Sequence, residues 1–163
     1  MTSLARRITA LNHNLFMCAR WLVFIIALMM LWEVLSRYFL EHPTSWAPEF
    51  ATLIFGPFFL LGGPYLLHLG GHVAVDVLSA RAQGRLATGL RLAGLVLAAA
   101  FGIILLWFSL PLVLQSYQYG ETSYSAWNPV LWPAKAFLPL SALLLVLQAI
   151  ADAIDIFAEE IHA

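Results

Sequence analysis

The sequence predicts an all-α integral membrane protein with four transmembrane helices and both termini cytoplasmic. Three observations lead there: too little charge for a water-facing surface, four long apolar stretches, and an uneven placement of arginine and lysine. Of the 163 residues 62% are apolar and 10% charged, where a soluble domain carries roughly 45–50% apolar and about 25% charged residues. So few ionic groups cannot cover a surface, and the solvent for most side chains is therefore lipid. The glycines follow no period and Cys18 is the single cysteine, which excludes collagen-like and disulfide-built chains. A net charge of -1 supplies no field for nucleic acid.

A helix needs about 20 apolar residues to cross the hydrocarbon, and the charged positions mark where each crossing ends. The first span covers about 19–40: Trp21 to Trp32 is uncharged, and Val34, Leu35, Tyr38, Phe39 and Leu40 continue it past Glu33 and Arg37. The second, 47–67, starts near Ala47 and takes its apolar part, Phe50 to Leu67, from the uncharged stretch between Glu49 and Asp76. The third, 90–114, is built on Leu92 to Leu114, the apolar part of the stretch that Arg91 and Glu121 enclose. The fourth, 129–150, is followed at 151–163 by a polar helical tail with Asp152, Asp155, Glu159 and Glu160. Residues 1–163 thus form a single four-helix membrane domain. The first apolar run is too long for a cleaved leader, has no small-x-small site and continues into Glu33 and Arg37.

Orientation follows from the basic residues near the span ends. Arg6, Arg7, Arg20, Arg81, Arg85 and Arg91 fall on one side and only Arg37 and Lys135 on the other, which places both termini in the cytoplasm. With an uncleaved N-terminus, the location is the bacterial inner (plasma) membrane, crossed several times.

Local signals refine the ends. Thr44 or Ser45 is available to cap the second span, with Pro48 in its first turn, where a missing N–H costs little. Trp46 and the outer-loop residues Tyr117, Tyr119, Tyr124 and Trp127 read as an interfacial aromatic belt. Pro57 and Pro64 predict kinks in the second span. Glu33 and Arg37, four apart with the acid first, form an intrahelical pair near the outer interface, Arg37 snorkelling to water. His68 and His72 have metal-ligand spacing, but Gly70 and Gly71 end the helix between them. Lys135 lies within snorkelling distance of the outer surface. Gln148, at the inner end of the fourth span, can hydrogen-bond across a helix interface. Gly94, Ala98 and Gly102 form a small-residue stripe that lets another backbone approach.

The absences are as informative. Residues Val23 to Leu31, Leu53 to Leu61, Leu92 to Leu106 and Ala136 to Leu147 hold no acid, base, Asn or Gln, whereas a coupled transporter needs such groups or unwound backbone at the midplane. The chain is therefore not expected to conduct alone. No nucleophile–base pair, metalloprotease motif or phosphate loop is present, so no enzyme, catalytic residue, cofactor or metal is expected. A homodimeric small multidrug-type transporter would have to use Glu33 as its membrane acid. A four-helix haem protein would need facing histidines, yet His13, His42 and His162 lie outside the spans and His68 and His72 at the edge of one.

Arg37, Trp46 followed by Glu49, His72-Val-Ala-Val-Asp76-Val-Leu, and Trp132-Pro-Ala-Lys135 with Pro139 and Gln148 together resemble the small permease subunit of tripartite ATP-independent periplasmic (TRAP) transporters. The resemblance covers roughly residues 20 to 150, and Trp127-Asn-Pro-Val-Leu-Trp-Pro-Ala-Lys135 looks most like the mannitol/chloroaromatic branch, which also serves keto acids. It implies a large elevator-type permease subunit that holds the solute and sodium sites, a periplasmic substrate-binding protein that delivers organic acids, and a small subunit that enlarges the scaffold. The residues it points to for the partner interface are Arg37, Glu49, His72, Asp76, Lys135 and Gln148, joined by the stripe of Gly94, Ala98 and Gly102.

Overall fold

A computed structural model describes residues 3–70 and 85–162; His72, Asp76 and Arg81 lie outside the described residues. Five helices account for nearly all of it: α1, Ser3–Ala19; α2, Leu22–Tyr38; α3, Ala47–His68; α4, Arg85–Gln118; and α5, Trp132–His162. Four stretches are long and apolar enough to cross a membrane, Ser3–Tyr38, Ala47–His68, Leu86–Gln118 and Trp132–Ala158. The first of them joins α1 to α2 through a turn at Arg20 and Trp21. Among the described residues the only β pairing is an isolated bridge between Thr122 and Val130.

The helices extend beyond the apolar stretches read from the sequence. The chain is helical from Ser3, ahead of residue 19, and α5 continues unbroken through the acidic tail to His162. α3 also runs unbroken through Pro57 and Pro64. It starts without the expected cap: Trp46 occupies the N-cap position and makes no side-chain bond. Thr44 is turned instead onto Glu33, which accepts from both its backbone N–H and its hydroxyl. A buried carboxylate outcompetes a helix end whose free N–H groups can meet water at the interface.

Neighbour relations are simple. α2 lies against α3, α3 against α5, and α5 against α4, while α2 and α4 do not meet. The spans therefore form an open row rather than a closed bundle. α1 crosses the inner part of this row, touching both α3 and α5. Ala19, Leu61 and Leu144 pack together where it does so, with Leu15 and Phe137 beside them. His13 and Phe16 flank the Tyr65 ring at centroid distances of 5.0 and 5.2 Å. Much larger apolar side chains, Phe101, Trp107 and Phe108 among them, stay exposed on α4, which is unremarkable where the surroundings are themselves hydrocarbon.

Close packing is concentrated between α4 and α5. A Cβ on Gly102 would stand 2.7 Å from Val146 Cγ2 and 3.2 Å from the Ala142 carbonyl oxygen, so the glycine sets how near the two helices come. Gly94 and Ala98, on the turns before it, are half-buried.

Candidate functional site

The polar side chains gather in two layers, one at each end of the row. In the inner layer Gln148 is fully buried. Its amide oxygen accepts from Asn12 Nδ2 at 2.8 Å, and its Nε2 donates to Thr9 Oγ1 at 3.1 Å and Asp152 Oδ1 at 2.8 Å. The same Asp152 oxygen lies 2.7 Å from His68 Nδ1. Three helices are joined in this way: α1 through Thr9 and Asn12, α3 through its last residue, and α5 through an i, i+4 pair that shares a face. His68, which the sequence places at the edge of the second span, is thus a helix-end residue with an acidic partner. Among the described residues no three His, Cys, Asp or Glu side chains stand together as a metal site.

The outer layer begins with Glu33, only 3% exposed. Arg37 reaches it with Nη2 at 2.5 Å and Nε at 3.1 Å, and Thr44 N–H donates to the other oxygen at 3.0 Å. Ser36, also buried, donates its hydroxyl to the His42 carbonyl, and His42 N–H returns to the Ser36 carbonyl at 3.0 Å. Both Glu33 oxygens and the Ser36 hydroxyl are thus engaged within the α2–α3 turn, while Arg37 stays half-exposed. Glu33 sits at the outer end of α2 with both its oxygens engaged, not at the midplane where a transport acid would stand.

The second outer segment is a folded hairpin. α4 ends with Gly120 at φ +58°, its N–H bonded to the Tyr117 carbonyl at 3.2 Å and the next N–H, of Glu121, to the Ser116 carbonyl at 2.9 Å. Those two bonds make the Schellman ending that glycine favours because it has no Cβ. The turn aims Glu121 at Lys135 in the first turn of α5, Nζ to Oε2 2.5 Å. Leu131 N–H bonds the Glu121 carbonyl at 3.0 Å and Ser123 N–H the Pro129 carbonyl at 3.1 Å. Ser125 donates to Glu49, and Trp127 meets Phe50 edge to face at 6.0 Å. Trp127 thus has a protein partner, as does Tyr117, which meets Trp132 edge to face at 5.4 Å, while Tyr119 and Tyr124 are exposed.

The Lys135 ammonium holds the Glu121 carboxyl below its ordinary value of 4.5. A carboxyl depressed by folding stabilises the fold above its unfolded pKa, and that contribution is lost as pH falls through the folded value. The melting-temperature difference between wild type and Glu121→Gln should therefore be constant from neutral pH down to the ordinary carboxylate range and shrink below it. A difference that stays flat down to strongly acid pH would show that the pair contributes nothing.

Among the residues expected at a partner interface, Gln148 and Gly102 have their neighbours inside this chain. Glu49 and Lys135 are tied to the hairpin, Arg37 is half-exposed beside Glu33, and His72 and Asp76 lie outside the described residues. Thr9, Asn12 and Asp152 were missed. A buried Asn on a helix face between arginines leaves no signal in sequence, because its partner lies 136 residues away.

Fold and site together define a multi-pass membrane protein whose described polar groups hold helix ends together. Residues 26–159 match the family model for tripartite ATP-independent periplasmic transporters, DctQ component, and the chain belongs to that family. It is the small membrane subunit of a TRAP transporter, a component that works with a large permease and a periplasmic binding protein, and it is not an enzyme. No match among curated proteins accompanies this one.

Proposed function

We propose that this subunit is the static scaffold of a sodium-coupled TRAP transporter for organic acids, enlarging the surface against which the elevator-type permease subunit moves. One observation carries the reading: four spans stand in an open row whose charged and amide side chains, among the described residues and apart from Arg20, lie near its ends. A solute or sodium site needs converging polar groups at the midplane, and helices standing in a single row leave broad faces free for a partner. In this reading sodium and solute bind the large subunit, both termini are cytoplasmic, and the complex lies in the bacterial inner membrane. The segment Trp127 to Lys135 supports the mannitol/chloroaromatic/keto-acid branch.

The test is reconstitution. The chain alone in liposomes should give no sodium-driven uptake, whereas co-expressed with its large subunit it should co-purify with it and, once the binding protein is added, restore uptake of a keto acid. Uptake by the isolated chain would overturn the scaffold reading.

A further inference from the structure

One charged side chain stands apart from both polar layers. Arg20 follows Ala19, which packs against Leu61 of α3 and Leu144 of α5. Leu61 precedes His68 by seven residues and Leu144 precedes Asp152 by eight, so at 1.5 Å per residue Arg20 lies about 10–12 Å toward the membrane centre from the His68–Asp152 pair. Two separate helices give the same depth. The sequence places this arginine among the cytoplasmic charges; the docking of α1 carries it into the apolar zone. It is the only charged side chain among the described residues between the layers, and it is exposed.

Snorkelling does not account for it. An arginine stem extends roughly 7 Å at bond lengths near 1.5 Å, short of the inner layer. The guanidinium instead stands 5.6 Å from the ring centroid of Trp21, itself 58% exposed, at the same depth. Leu22, the next residue, lines an apolar groove of about 580 Å³ that passes Pro57 and Phe137 and reaches Trp127. A cation in hydrocarbon with no acidic partner in the described chain is costly unless another protein supplies the counter-charge.

We propose that Arg20 is a docking charge for the large permease subunit, pairing with a carboxylate that the partner presents at mid-membrane depth while its apolar side chains fill the neighbouring groove. The proposal rests on the scaffold reading above and adds the residue, the depth and the sign of the partner's charge.

The experiment compares wild type, Arg20→Leu and Arg20→Lys, each co-expressed with the large permease subunit, by its retention through detergent purification, and in parallel the melting temperature of each chain alone. Arg20→Leu should lose at least tenfold of the retained large subunit, because it strands a buried acid, with the chain's own melting temperature unchanged; Arg20→Lys should retain more than Arg20→Leu. Retention within tenfold of wild type would overturn the proposal, since leucine suits lipid better than arginine does. A lowered melting temperature for Arg20→Leu alone would place the partner inside this chain and overturn it too. Failure of wild type itself to retain the large subunit would instead defeat the scaffold reading, and this inference with it.

Discussion

Gln148→Leu should lower the stability of the isolated chain in detergent by several kcal/mol, the largest loss expected from any single substitution. The bonds as such explain little of it, since a side-chain hydrogen bond between membrane helices averages about 0.6 kcal/mol. The larger part comes from what leucine strands. Asn12 Nδ2, on a side chain 1% exposed, loses its acceptor, and Asp152 Oδ1 loses one of its two donors. A buried group left unsatisfied costs roughly 1–3 kcal/mol. The double variant Asn12→Leu with Gln148→Leu should recover much of the loss, because removing both polar partners leaves less unsatisfied. Equal melting temperatures for wild type and Gln148→Leu would mean that the network does not clamp α1 to α5.

Gly102→Val should push α4 away from α5, at about 1–3 kcal/mol for overpacking. The magnitude rests on what the added Cβ meets. Val146 is β-branched and stiff at χ1, and the Ala142 carbonyl at 3.2 Å is backbone, so neither neighbour yields by a simple rotamer change. Gly102→Ala introduces the same Cβ and should fall at the low end of that range. Adding Val146→Ala removes the methyl found at 2.7 Å and should restore part of the stability, a coupling that a double-mutant cycle in detergent unfolding would measure. Independent effects of the two substitutions would place the contact elsewhere. Because α4 has no other described neighbour, its displacement should also appear as weaker retention of the large subunit.

The outer and inner ends differ in how readable they were. Glu33 and Arg37 are four residues apart, and a helix puts such a pair on one face whatever surrounds it; their 2.5 Å contact follows from local geometry alone. Glu121 with Lys135 needs a Schellman turn and a hairpin between them, and Gln148 with Asn12 needs the whole row to be assembled. Thr44 shows the same limit on a short scale: residue type makes it a helix cap, but the carboxylate of Glu33 took it once α2 and α3 were brought side by side.

What the sequence by itself determined is the number of apolar crossings and the charged ends around a largely uncharged middle. Those follow from composition, because lipid admits only helices whose backbone bonds are internal and whose side chains are apolar. Only the tertiary structure decided which helices are neighbours, that α1 lies across α3 and α5, and that Arg20 is thereby carried inward. In water a helix marks its buried face by an amphipathic stripe. In hydrocarbon every face of α2 and α4 can be apolar at no cost, so the amphipathic stripe that would announce the neighbours is missing; the small-residue spacing through Gly102 marks one close approach without naming its partner, and contacts such as Asn12 with Gln148 are encoded by no periodicity.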